Sequence, residues 1–291
     1  MIFVHDKGRM ANNMLQYGHV YAWGREHGRR TVSMRFAYKY PWFRICHTRY
    51  HHFLTYVFAK YAAKWGLIPT VRFDEEGADY SHEEELMMKR RLVVVGGWWA
   101  RWYDLFLKYK PEIVDLFAFD EQVRRNVEGV FRGTRNEEGG TRNEEGGTRK
   151  EERGARKVLK LGVHIRRGDY RQWHGGRYFF TDEQYLSVIR RFLTLHQDQP
   201  VQVFICGNDP SLHRERFQQA LEGCSVVFPM GNPAEDMCLL SECDYLIGPP
   251  STFTLVASMY HDRPLYWITD PEAPVTEESF GHFDDLFRYT L

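Results

Sequence analysis

The sequence predicts an α/β protein built from two Rossmann-like domains facing one another across a cleft. Three observations lead there. The chain opens as strand, helix, strand; its C-terminal half alternates five short apolar runs with amphipathic stretches; and a polar repeat separates the two. The expected organisation is an N-terminal domain over residues 1–132, a low-complexity linker over 133–156 and a C-terminal domain over 157–291.

Each element has its own justification. Ile2 to Val4 is a short apolar run that ends in a glycine-bearing turn. From Asn12 to His27, Leu15, His19, Ala22 and Trp23 recur at helical spacing, and Gly28 stops the helix. Thr31 to Phe36 follows as the second strand of a βαβ unit. Residues 40–66 are aromatic-rich and read as helical, with Phe53, Val57 and Tyr61 four apart. Leu92 to Gly97 is the next strand, and Tyr103 to Phe119 carries a helical pattern. Trp98, Trp99 and Trp102 read first as packing and second as a surface for a sugar ring.

The repeat is different in kind. Gly133-Thr134-Arg135-Asn136-Glu137-Glu138-Gly139 recurs over 140–146 and decays over 147–153. A period of seven suggests a coiled coil, but without an apolar residue no seam forms. Such a stretch buries too little to offset its ordering entropy, so it reads as a linker. Beyond it the expected strands are Leu159 to Ile165, Val201 to Cys206, Val226 to Phe228, Tyr245 to Gly248 and Leu265 to Thr269. Helices fill the gaps at 182–196, 211–221, 234–243 and 252–260, the first with Thr181 and Gln184 spaced for a capping box.

Composition bounds the function. Hydrophobic residues make up 43% and charged residues 27%, as in a globular enzyme, and the net charge of zero gives no reason to expect nucleic acid as a partner. Five scattered cysteines without a CxxC pair indicate neither a disulfide framework nor a zinc site, and Cys206 and Cys238 sit in core contexts. The opening Met1-Ile2-Phe3-Val4 has no signal-peptide pattern, and the longest apolar run, Leu92 to Ala100, is too short to span a bilayer. The expected setting is cytoplasmic, with room for peripheral membrane association.

Chemistry concentrates where Leu161-Gly162-Val163 runs into His164-Ile165-Arg166-Arg167-Gly168-Asp169-Tyr170. Side chains at the carboxyl end of a parallel strand project into the ligand crevice, and two guanidinium forks there suit a diphosphate. The plain alternative is a surface cluster in which Asp169 only pairs with Arg167. A second anion site is expected at Ser251-Thr252-Phe253, where a strand passes into a helix; simple N-capping is its alternative. The Gly8 to Gln16 turn lacks the GxGxxG spacing of a dinucleotide loop. No Asp-x-Asp triplet occurs, so the carboxylate bracket for a metal–diphosphate is missing and arginine takes the ion's place. Asp169 and Asp6 stand at predicted strand ends as candidate general bases, and Asp169 has the rival role of orienting an arginine.

Four segments together carry a resemblance. Gly8-x-x-x-Asn12-x-Met14-x-Gln16-Tyr17, HxRRxDY over 164–170, the Asp236 to Ile247 stretch and Ser251-Thr252-Phe253, in that order, resemble the α-1,2-fucosyltransferase family over most of the chain. The resemblance implies a GT-B fold and metal-independent, inverting transfer of fucose from GDP-β-L-fucose to a glycan, with no resident cofactor. It implies that Arg166 clamps the β-phosphate with Arg167 in support and Asp169 beside them. It places His164 and Asp236 at the guanine end, Ser251, Thr252 and Phe253 at the diphosphate, and Gly8, Asn12, Asn13 and Gln16 on the acceptor side. Ala11-Asn12-Asn13 replaces the family's usual Gly-Asn-Gln, and Thr254-Leu255-Val256-Ala257 its common Ser-Trp-Trp-Ala, marking a distant member. The same scaffold with another nucleotide sugar, and a non-catalytic nucleotide-binding paralogue, are the alternatives.

Overall fold

A computed structural model describes residues 1–5, 7–138, 158–207, 209 and 211–289. The chain divides into two compact units, Met1–Glu121 and Gln122–Leu291.

In the first unit the elements run β1 (Ile2–His5), α1 (Met10–Glu26), β2 (Thr31–Ser33), α2 (Phe53–Lys64), β3 (Thr70–Arg72), α3 (Ser81–Lys89), β4 (Val93–Gly96), α4 (Tyr103–Lys108) and α5 (Lys110–Leu116). The strands form one parallel sheet in the order β2-β1-β4-β3. The two central strands are the most apolar: Ile2, Phe3, Val4 and Val93, Val94, Val95 are all buried, as strands covered on both faces require. The aromatic stretch 40–66 is helical only over α2, with a short 3-10 turn at Arg44–His47. The helix expected over 103–119 is two helices, because Pro111 enters the first turn of α5, where its missing N–H costs nothing. Strand β3 and helix α3 were not foreseen; a three-residue edge strand is too short to show a period.

The second unit runs α6 (Glu121–Glu138), β5 (Leu159–His164), α7 (Asp182–Leu195), β6 (Val201–Cys206), α8 (Arg214–Ala220), β7 (Ser225–Val227), α9 (Pro233–Ser241), β8 (Tyr245–Gly248), α10 (Thr252–Met259) and β9 (Leu265–Trp267). All five expected strands are present, each within two residues of its expected bounds, and the sheet is parallel in the order β7-β6-β5-β8-β9. The order reverses between β5 and β8, so the ligand crevice of this unit lies beyond their carboxyl ends. Its core is Leu161 and Val163 of β5 against Tyr185, Val188, Ile189 and Phe192 of α7, with Val203 and Ile205 of β6.

One boundary changes. Residues 122–132, placed by the sequence with the first domain, belong to the second unit, and α6 continues through 133–138, the first copy of the repeat. Glu121, Val123 and Val127 give that helix an acidic first turn and buried positions four apart, enough to nucleate a helix that the repeat's polar residues then extend. The rest of the expected linker lies outside the described residues. Among the described residues no helix is long and apolar enough to cross a membrane.

Candidate functional site

The two loops that flank the switch point are the ones the sequence singled out. Strand β5 delivers His164 at its last position and β8 ends at Gly248, the two lying side by side through the Val163–Ile247 pairing. A side-chain carbon at Gly248 would come 3.2 Å from the His164 carbonyl and 3.0 Å from Thr254, a tight fit that glycine relieves. Across the gap the His164 ring stacks on Phe253, with centroids 4.7 Å apart and planes 26° from parallel. The Tyr170 hydroxyl donates to the Pro250 carbonyl at 2.6 Å and ties the two loops together from the other side. Ser251 caps α10, its hydroxyl accepting from the Phe253 N–H at 3.1 Å. The capping alternative is therefore realised, and Thr252 and Phe253 form the first turn of that helix.

The paired arginines part company. The Arg166 guanidinium lies over the Tyr170 ring, 4.8 Å from its centroid, and its Nη2 donates to Asp169 Oδ2 at 2.8 Å. Its Nε is buried without a partner, so that donor is unused in this conformation. Arg167 turns the other way. It is buried, donates from Nε to the Phe180 carbonyl at 3.0 Å, pairs through Nη2 with buried Asp182, and has Asp209 3.9 Å from Nη1. Asp182 also accepts from His213 Nδ1 at 3.1 Å. With Nε and Nη2 so engaged, Arg167 braces the loop rather than presenting itself as a donor ligand, and the Asp169–Arg167 pair of the plain alternative gives way to Asp169–Arg166.

Electrostatics at the crevice are set by burial. Desolvation, helped by the Arg166 charge, drops the His164 imidazole to about 3, so it is a neutral ring at any working pH. Its Nδ1 is buried and unpartnered. Asp236, in the first turn of α9, is pushed up to about 7 by burial and secondarily by the Glu235 charge. It lies close enough to Cys206, at the end of β6, to raise that thiol. The absence of a side chain at Gly231 leaves room beside it: an added carbon there would sit 2.8 Å from Glu235 and 3.4 Å from Asp236 Oδ1.

In the first unit the residues that the resemblance assigns to the acceptor side occupy unlike positions. Gly8 has φ +89°, a left-handed conformation, and packs against Asn12, whose side chain is half-buried. Gln16 is buried and its Oε1 accepts from the Lys7 N–H at 2.7 Å, so it holds the turn. Asn13 is fully buried with neither amide atom partnered, a core position and not an exposed contact. Asp6 lies outside the described residues. Trp102 packs on Phe73 and Trp23 and donates to Glu84 at 2.8 Å, which realises the packing role for that tryptophan.

Sequence reasoning missed Asp182, Asp209 and His213 as a bracing set and Tyr170 as a latch. Asp182 was read only as the start of a capped helix, and the box itself is present, with Thr181 and Gln184 exchanging both bonds. The signal available was an acid in a helix's first turn; nothing local shows that its partner lies fifteen positions back.

Comparison with known proteins adds identity to this geometry. The profile of the family described as Glycosyl transferase family 11 matches residues 103–268, which include the His164 to Tyr170 motif, Asp236 and Ser251 to Phe253. Galactoside alpha-(1,2)-fucosyltransferase 2 of Rattus norvegicus is 27% identical over 98% of this chain and 78% of its own length. The protein of the same name from Gorilla gorilla gorilla is 25% identical over 96% of this chain and 78% of its own length. Among solved structures, a mutant of Arabidopsis thaliana FUT1 in complex with GDP superposes with TM-score 0.61 at 13% identity, covering 97% of this chain and 73% of that one. POFUT1 in complex with GDP-fucose gives TM-score 0.53 at 10% identity, covering 90% and 93%. These two likenesses show a shared GT-B-like fold. With the family profile spanning more than half of the sequence, the chain belongs to glycosyl transferase family 11, as a distant relative of the α-1,2-fucosyltransferases and a glycosyltransferase enzyme.

Proposed function

We propose that this enzyme transfers fucose from GDP-β-L-fucose to a hydroxyl of a glycan, with inversion and without a metal ion. The observation that carries the reading is Arg166: a guanidinium at the switch point with a buried, unpartnered Nε, held by Asp169 and Tyr170. In a single displacement the acceptor hydroxyl oxygen attacks the anomeric carbon as that carbon's bond to the β-phosphate oxygen breaks; GDP leaves with the bonding electrons and the hydroxyl proton passes to a departing phosphate oxygen or to water. Negative charge then grows on the diphosphate, and Arg166 answers it where other enzymes use a metal ion. Asp169 acts through Arg166 by fixing its plane, since that carboxylate already accepts from Nη2. Ser251, Thr252 and Phe253 offer the opening turn of α10 to the same anion. His164 and Asp236 serve the base, with Gly8 and Asn12 toward the acceptor. The donor is supported by relatives named as fucosyltransferases and by solved neighbours holding GDP or GDP-fucose.

The test is a donor-by-acceptor screen read by mass spectrometry, with Arg166 varied. Arg166→Ala and Arg166→Lys both should lower turnover on the order of 10²-fold or more, because lysine keeps the charge and loses the fork. Wild-type activity in excess EDTA should stay within about twofold of the untreated rate. Near-normal transfer by Arg166→Ala would overturn the assignment. Turnover confined to another nucleotide sugar would move the donor, and tight GDP binding with no transfer to any acceptor would make the protein a binder. Proton NMR of the product reads the anomeric configuration directly.

A further inference from the structure

Helix α2 gathers several of the exposed large hydrophobic side chains among the described residues. Leu54, Phe58, Tyr61 and Trp65 follow one another at spacings of four, three and four, which confines them to about 60° of the helix circumference. They are not core residues in an unusual place: Leu54 is 72% exposed, Phe58 52% and Trp65 69%, and Phe53 and Leu67 extend the stripe at its two ends. The opposite side of the helix is anchored by Ala59 and Ala62, which pack with Phe3, Val32, Val94 and Ile68. Soluble surfaces rarely gather so much contiguous apolar area without an occupant.

The charge around it indicates which occupant. From His27 to Phe73 the sequence holds nine Lys and Arg and no Asp or Glu, in a chain whose net charge is zero. Arg44 and Arg72 reach out of that segment to Asp115 and Asp74. Arg49, Lys60 and Lys64, flanking the stripe, are exposed and have no carboxylate partner among the described residues. Lys60 lies over Tyr56 and Tyr61, at 5.5 and 5.7 Å from the ring centroids, and Arg49 and Arg30 lie over Tyr50 at 5.4 and 4.7 Å. An apolar stripe rich in aromatic rings, bordered by cations and cleared of acids, matches the two layers of an anionic bilayer surface: rings at headgroup depth, ammonium and guanidinium groups on phosphates.

We propose that α2 and its flanks dock this enzyme on anionic lipid, with Leu54, Phe58, Tyr61 and Trp65 entering the headgroup layer and Arg49, Lys60 and Lys64 binding lipid phosphate. The attachment is peripheral and independent of the donor assignment. A protein partner with an acidic, apolar groove, or a second copy of this chain, is the competing occupant.

The experiment is flotation of the full chain with vesicles of phosphatidylcholine alone and of phosphatidylcholine with about one-third phosphatidylglycerol, at low and high salt, beside light scattering of the protein alone. The expected result is a monomer that floats with the anionic vesicles, remains in solution with the neutral ones, and is partly released by salt. Leu54→Ser with Trp65→Ser, and separately Lys60→Glu with Lys64→Glu, should each lower the partition coefficient about tenfold or more while donor hydrolysis and Tm stay unchanged. Two results overturn the proposal: wild type that does not bind anionic vesicles, or double variants that bind as wild type does. A concentration-dependent dimer that Trp65→Ser splits, with no vesicle binding, would assign the face to a second copy instead. Should the serine variant not fold, the charge-reversal pair, altered only at exposed cations, still decides the matter.

Discussion

Removing the Arg167 guanidinium would leave the Asp182 carboxylate buried without its counter-charge, and such a loss costs about 3–5 kcal/mol when both partners are dry. Arg167→Met should therefore lower Tm by many degrees, while Arg166→Ala, next in the chain but at the crevice, should leave Tm almost unchanged and lower turnover on the order of 10²-fold or more. Differential scanning calorimetry on the two variants separates bracing from catalysis. The sequence could not make this distinction, because adjacent arginines after a strand look alike until their opposite rotamers are seen. Asp236 offers a second test at this scale. Its carboxyl ionises near 3.8 when unfolded and near 7 when folded, so the folded state holds one more proton over that window. The contribution to stability is full below the lower value, falls as pH rises between the two, and stays low above the upper one. Asp236→Asn should flatten that fall and raise Tm at pH 8 relative to wild type, read by thermal melts across the range.

Among elements, those with long apolar runs or complete end signals were legible. Strands β6 and β8 carry the bounds expected of them, since Val201 to Cys206 is bracketed by Pro200 and Gly207 and Tyr245 to Gly248 by Asp244 and Pro249. Helix α7 was legible through its cap. Thr181→Ala removes the hydroxyl that accepts from the Gln184 N–H, leaves the Thr181 N–H bond to the Gln184 side chain, and should cost about 1 kcal/mol, measurable by urea denaturation. Catalysis should change less than stability unless the end of α7 frays far enough to release Asp182 from Arg167. Strand β3 and helix α3 were illegible for the opposite reason: three residues at a sheet edge take their conformation from β4 and not from any period of their own. The arginine-braced loop was legible as a site and not as a structure, because its bracing partners come from α7 and from the loops after β6.

At the scale of the molecule, two units and a parallel sheet in each were expected, and the comparisons place the chain in the family its motifs resemble. The position of the repeat was misread by one helix. Since α6 belongs with the second unit, the stretch between α6 and β5 is an insertion within that unit and does not join the two. Composition still argues that it is dispensable. Exchanging residues 139–152 for a short Gly/Ser segment should leave transfer rate and Tm as they are, and a Tm lower by several degrees would show that the segment packs.

The central place of β5 has a consequence for how the protein is made. That strand is the first of its sheet to leave the ribosome, yet one of its two neighbours, β8, lies about 80 residues downstream. At ordinary translation rates the gap is roughly 4–17 s; β6 joins one side of β5 about halfway through it, and the other side stays bare backbone to the end. The unpaired side is the one facing β8, and thus the side beside which the proposed site residues later gather. Tyr170 has no Pro250 carbonyl to reach in that interval, and His164 has no Phe253 to stack on. A nascent chain is therefore most exposed to mispairing along the edge of β5 that β8 later covers.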